Sequence, residues 1–257
     1  MSQSKPLAEP ADVRYLYDGS LAGFYTCVHE SVYSRQIPLA IAPEGLAEPG
    51  LFPQKLIQTD RAKALKVRDS IPVKISAAAL DLIETVFLSC LPEKEAAMLR
   101  FLLAGYQRGP SIMRMLGDPI VAPLLTAQHH LLKESQLLRG FIRFSDYDGV
   151  LAATISPKNF VLPFLSAHFV NRYPEEAFLI YDRIHGAALV YQNRHKEIIA
   201  LEGITFPAVS ETEQHYRNLW KKFYHTVAIK ARENPKCRMN LMPKRYWENM
   251  TEMQELL

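Results

Sequence analysis

The stretch "GFIRFSDYDGVLAATIS", Gly140–Ser156, is where the chain changes its period. Upstream of it, apolar residues recur every three or four positions. Within it they alternate on both sides of Asp148-Gly149, a dipeptide suited to a two-residue turn that requires positive φ. The spacing predicts a β-hairpin. Downstream, "FVLPFLSAHFVNRY" (Phe160–Tyr173) has the spacing of a short helix. "AFLIYD", "AALVYQ" and "EIIAL" then read as strands joined by tight turns at "RIHG" and "NRHK". Upstream, Val121, Leu124, Leu125, Gln128, Leu131, Leu132 and Leu138 mark one helix, and "EKEAAMLRFLLAGYQ" marks another. Ile75, Ala79, Leu82, Ile83, Val86, Phe87 and Cys90 form a third apolar stripe. Near the start, "VRYLYDGS" reads as a strand, "SLAGFYTCVHESVYSRQ" as a helix and "KLIQTD" as a short strand. The proline-rich "IAPEGLAEPGLFPQ" between them reads as a loop, and Asp60 is placed to cap a helix beginning at Arg61. The expected fold class is α+β: an antiparallel sheet of hairpins packed against helices, with a helical middle segment. Residues 1–12 are expected as a flexible tail and 13–250 as a single domain. Within that domain, 75–140 form a helical subdomain and 210–250 a basic C-terminal helix and arm.

Composition narrows the class. The chain has 257 residues, 48% of them hydrophobic, enough for a substantial buried core. Three scattered cysteines make no disulfide framework and no C-x-x-C pair, which fits a reducing compartment. No apolar run approaches the roughly 20 residues that span a bilayer. The expectation is a cytoplasmic protein with no membrane partner. The motifs G-x-x-x-x-G-K, G-x-G-x-x-G, G-x-S-x-G and H-E-x-x-H are absent, so the commonest phosphate, dinucleotide, hydrolase and zinc-protease signatures are missing. No cofactor or metal is expected on this chain.

The net charge of +3 is unevenly spread. From Gln214 to Met250 there are nine Lys/Arg and two Glu. A clustered basic segment is an electrostatic footprint for a polyanion. Ser210 and Glu213 form a capping-box pattern that opens the last helix. Its apolar face is Tyr216, Leu219, Trp220, Phe223 and Val227, flanked by Arg217, Lys221 and Arg232. Beyond Asn234-Pro235 the chain reads as an irregular arm, with one further helical turn after Pro243. The residues expected to bind nucleic acid are Arg217, Lys221, Arg232, Lys236, Arg238, Lys244 and Arg245 on phosphates, with Tyr246 or Trp247 stacking on an unpaired base. Two other readings of the segment stay open. It could dock an acidic protein, or it could be solvated packing in which Trp220, Phe223 and Trp247 anchor the arm to the core.

Read in order, "VRYLYDGSLAGFYTCVHESV", "EPGLFPQKLIQTDRAKALKV", "LRGFIRFSDYDGVLAATISPKNFVLPFLSAHFVNRYP", "FLIYDRIHGAALVY" and "LWKKFYHTVAIKARENPKCRMNLMPKRYW" resemble a bacterial family described as probable DNA metabolism proteins. The resemblance runs from about Val13 to Met250. It implies a setting: members accompany a radical-SAM protein that modifies or repairs DNA, and related domains are fused to uracil-DNA-glycosylase-like domains. It carries no catalytic residues. Relatives have a more basic turn after Tyr-Asp-Arg, where this chain has Ile184-His185, which implies a weaker phosphate contact there.

The expected function is an accessory role in DNA metabolism or repair, binding DNA or a radical-SAM partner enzyme through the C-terminal segment. One alternative is an enzyme acting on DNA or nucleotides with a site near Asp182, Arg183 and His168. Asp182 and Arg183 lie where a strand meets a tight turn, and the pKa range of His168 suits acid–base work. The other alternative is a protein-interaction module. His129, His130 and Glu134 offer metal-ligand chemistry on one helix without a visible further ligand, and Cys237 lies among cations with no visible base.

Overall fold

The computed structural model describes residues 9–46, 51–227, 229 and 234–254. The chain divides into two compact units, Met1–Leu131 and Leu132–Leu257, where the sequence reading placed a single domain.

The first unit opens with strand β1 (Glu9–Tyr17), helix α1 (Leu21–Ser34) and strand β2 (Gln36–Pro43), followed by β3 (Gln54–Leu56). β1 therefore begins within the segment expected as a tail. Part of the expected loop, Ile41–Pro43, is the end of β2. All three strands are parallel, in the order β2-β1-β3. Helices α2 (Arg61–Lys74), α3 (Ala77–Phe87) and α4 (Lys94–Arg108) follow, and α5 (Ala122–Phe141) carries the chain onward. Asp60 caps α2 as expected, its carboxylate accepting from the Ala62 and Lys63 amides. Tyr15, Phe24, Cys27, Ile71, Leu82, Ile83, Met98 and Phe101 are wholly or almost wholly buried in one core.

Gly23 shows how tightly β1 turns into α1. Asp18 accepts from the Ser20 amide at 2.9 Å, the Ser20 hydroxyl at 2.7 Å and the Thr59 hydroxyl at 2.8 Å. A Cβ on Gly23 would collide with Asp18 Oδ1 and stand 2.8 Å from both Thr59 Oγ1 and the Tyr17 ring. Gly23→Ala is expected to destabilise the protein by about 1–3 kcal/mol through overpacking. Urea unfolding followed by circular dichroism measures this, and an unshifted midpoint would mean that the junction has slack.

The second unit holds a five-stranded sheet: β4 (Ser145–Tyr147), β5 (Val150–Ile155), β6 (Ala177–Asp182), β7 (Ala187–Gln192) and β8 (His195–Ala200), in sequential order. The hairpin at Asp148-Gly149 is present, with φ of 53° and 86° at its turn. β6–β7 and β7–β8 are antiparallel as well. β5 and β6, however, run parallel, because α6 (Leu162–Arg172) crosses between them. The expected antiparallel sheet of hairpins is thus corrected twice: the first sheet is wholly parallel and the second is mixed. In each case a helix intervenes between paired strands and returns the chain to its starting end, which permits parallel pairing. The unit continues with α7 (Glu211–Val227), α8 (Pro235–Leu241) and a 3-10 helix at Lys244–Asn249. Pro235 starts a helix rather than an irregular arm. It occupies the first turn, where a missing N–H costs nothing, and Asn234 Oδ1 accepts from the Cys237 amide.

No helix among the described residues is long and apolar enough to cross a membrane.

Candidate functional site

The C-terminal segment is anchored by one buried carboxylate. Glu134, on α5, accepts five hydrogen bonds: from the Lys158 amide at 3.1 Å, the Asn159 amide at 2.9 Å, the Asn159 side chain at 2.6 Å, Arg245 at 2.9 Å and the Tyr246 hydroxyl at 2.7 Å. Burial alone would raise its pKa. The hydrogen bonds from Tyr246 and Asn159, with that from the Lys158 amide, outweigh burial and hold the carboxyl below the usual glutamate range. Trp247 is 3% exposed, and its indole N–H donates to the Met242 carbonyl at 2.9 Å. Tyr246 is 2% exposed. Neither ring offers a face to a base, so both are anchors, and Arg245 holds an ion pair with Glu134.

Around the buried indole stand the cations of the arm. The Arg238 guanidinium lies 5.5 Å and the Lys244 ammonium 5.7 Å from the Trp247 ring centroid. Lys236 is exposed on α8. Arg238 Nε is buried without a hydrogen-bond partner. None of these three cations pairs with a carboxylate among the described residues. Arg232 lies outside the described residues.

Helix α7 packs through its polar side. Glu213 is buried, accepting from the Asp146 amide and from Arg217 at 2.8 Å, and Arg217 also donates to the Ser145 hydroxyl. Lys221 and Tyr224 are half-buried on the same side. Ser210 caps the Glu213 amide as the capping box predicts, but the Glu213 carboxylate serves Asp146 and Arg217 instead. The polar stripe thus faces inward. Tyr216 is 63% exposed, Leu219 47%, Trp220 39% and Phe223 55%.

These exposed side chains line an apolar cavity of about 540 Å³ together with Arg143, Phe144, Arg217 and Thr251. A smaller polar cavity of about 140 Å³ shares Arg143, Arg217 and Thr251 with it and adds Ser145, Tyr147, Asn249 and Gln254. Arg143 is locked in place. It pairs with buried Glu252 at 2.6 Å, and its guanidinium lies 5.2 Å from the Trp220 ring centroid. Burial raises the Glu252 carboxyl, but hydrogen bonds, chiefly from Arg143 with a contribution from Trp220, hold it below its ordinary range. Trp220 therefore has one face against a fixed guanidinium.

The catalytic candidates do not converge. Asp182, wholly buried, accepts from the Ile184 and His185 amides, and its Oδ2 lies 2.6 Å from His185 Nδ1. Arg183 instead makes a two-point pair with Glu248 and reaches Ser156. His168 packs edge-on against Phe169, and its pKa is lowered by burial and by the charges of Arg139 and Arg172. His129 and His130 are exposed, while Glu134 is saturated by its five donors. No group of three or more metal-ligating side chains occurs among the described residues.

Sequence reasoning missed Arg143, Glu252 and the anchoring role of Glu134. Tyr246, which donates to Glu134, and Arg143, which pairs with Glu252, lie more than a hundred positions from their partners, at separations of 112 and 109. Local patterns carry no trace of such pairs.

No curated protein matches the chain. The family model for the domain of unknown function DUF4130 matches residues 92–252, a span that contains Glu134, Arg143, the arm and Glu252, and the chain belongs to that family.

Proposed function

We propose that the chain is an accessory protein of DNA metabolism that grips the DNA backbone with its C-terminal arm. The observation that carries this reading is the arrangement of Lys236, Arg238 and Lys244. They are three cations without a carboxylate partner among the described residues, on a segment fixed by Trp247 and Glu134, and one of them has a buried, unpartnered Nε–H. Phosphate oxygens would pair with these cations in charge-assisted bonds. Fixed cations lose less entropy on binding than those of a mobile tail. The resemblance described above supports DNA as the setting and a radical-SAM enzyme as the partner. An enzyme centred on Asp182, Arg183 and His168 has less support, because the three side chains serve separate networks.

Fluorescence anisotropy with labelled duplex DNA across a salt series tests the reading. Affinity is expected to fall steeply with salt. The variant carrying Lys236→Ala, Arg238→Ala and Lys244→Ala should bind more weakly. Its slope of log K against log salt should be shallower by roughly 0.9 for each phosphate that is no longer neutralised. A variant with natural affinity and slope, or a natural protein that ignores DNA, would overturn it. Arg245 is left intact because removing it would uncover Glu134.

A further inference from the structure

The chemistry of the groove beside α7 differs from that of the arm. Its two arginines are already neutralised, Arg143 by Glu252 and Arg217 by Glu213, so they shape the cavity rather than offer free charge. Its lining is aromatic: Tyr216, Trp220 and Phe223 all meet solvent there, and Trp220 and Phe223 stand 5.7 Å apart, centroid to centroid, at 32°. Packing the polar stripe of α7 inward leaves this aromatic surface facing water, and a contiguous exposed apolar patch marks an interaction site. A volume of about 540 Å³ suits a small flat molecule or part of one. The adjoining polar cavity shares Arg143, Arg217 and Thr251 with the groove and is lined by Tyr147, Asn249 and Gln254, which can meet the hydrogen-bonding edge of such a group.

We infer that this groove takes an unpaired base of a nucleic-acid strand, stacked on the aromatic side chains of α7. The inference rests on the reading that the arm binds the DNA backbone. Charge supports a nucleic-acid strand over a second copy of the chain as occupant. Lys222 is exposed on α7, and the arm adds Lys236, Arg238 and Lys244 without a carboxylate partner among the described residues, cations that attract phosphates and repel their own copies. Stacking needs no particular base, because every base has a π face, while phosphates outside the groove remain available to the cations.

The test compares three probes with the full chain at one salt concentration: a labelled oligothymidine, a duplex of equal length, and a strand of equal length whose central nucleotides are abasic. The abasic strand keeps the phosphates and removes the bases. The natural protein is expected to prefer the oligothymidine over the abasic strand by roughly 5- to 150-fold for each base stacked. Trp220→Ala and Phe223→Ala should bring that ratio toward one. Trp220→Phe, which keeps an aromatic face, should retain most of it, and this separates loss of stacking from loss of fold. A natural protein without the preference, or alanine variants that keep it, would overturn the inference while the arm's salt slope still reports on backbone binding. Sedimentation showing a dimer that the alanine variants dissolve, with no base preference in the natural protein, would assign the groove to a second copy and overturn it as well. If no probe binds at all, the backbone reading falls and takes this one with it.

Discussion

Glu134→Ala is expected to destabilise the protein by about 3–5 kcal/mol, the usual cost of removing one partner from a buried, hydrogen-bonded ion pair. The substitution strands five donors at once: the Lys158 and Asn159 amides, the Asn159 side chain, Arg245 and the Tyr246 hydroxyl. Glu134→Gln should cost less but not nothing. Its carbonyl still accepts, while its amide group points a donor at a site where every partner is a donor. The pH dependence carries a definite sign. The Glu134 carboxyl titrates below its ordinary value in the folded protein, so its contribution is complete above the unfolded pKa of about 4.3 and is lost as pH falls through the lower folded value. Glu252 behaves the same way through Arg143. Urea unfolding at neutral pH and at successive acid steps measures both effects. A Glu134→Gln protein that loses stability on acidification as steeply as the natural protein would show that Glu134 does not drive the transition.

Local chemistry was legible in the sequence, whereas partners distant along the chain were not. The Asp148-Gly149 turn and the caps at Asp60 and Ser210 could be read because each is decided by residues within three positions of one another. Strand direction could not be read from alternation, since parallel and antiparallel strands share the period of two. The information lay instead in the helices α1 and α6 that intervene between paired strands. Pro43 gives the end of β2 the look of a loop, yet β2 with Pro38 and Pro43 lies on the edge of the sheet, where a missing donor is tolerated. At the candidate site, the apolar stripe of α7 is plain in the sequence but its direction is not. Amphipathicity identifies two faces. Which one turns inward depends on partners, and here the Asp146 amide and the Ser145 hydroxyl receive the polar face. The adjacent Tyr246 and Trp247, flanked by cations, have the pattern of a surface element because sequence does not report that Glu134 accepts from Tyr246 and the Met242 carbonyl from Trp247.

The two tryptophans make that inversion measurable. Trp247→Ala is expected to cost about 3–5 kcal/mol, because it empties a buried site and removes the indole N–H bond to Met242. It also removes the ring beside which Arg238 and Lys244 stand. The thermal midpoint should fall on the order of 10 °C. Trp220→Ala removes a side chain that is already 39% exposed, so the destabilisation should stay within about 1 kcal/mol even though Arg143 and Glu252 each lose a neighbour. Emission spectra give an independent check. Trp247 should emit at short wavelength and resist quenching by iodide, whereas Trp220 should emit further to the red and be quenched. The Trp220→Ala protein should therefore retain the shielded signal. A Trp247→Ala protein as stable as the natural one, or a Trp220→Ala protein that unfolds as easily as Trp247→Ala, would reverse the assignment. In that case the aromatic surface available to a ligand would be the arm rather than α7.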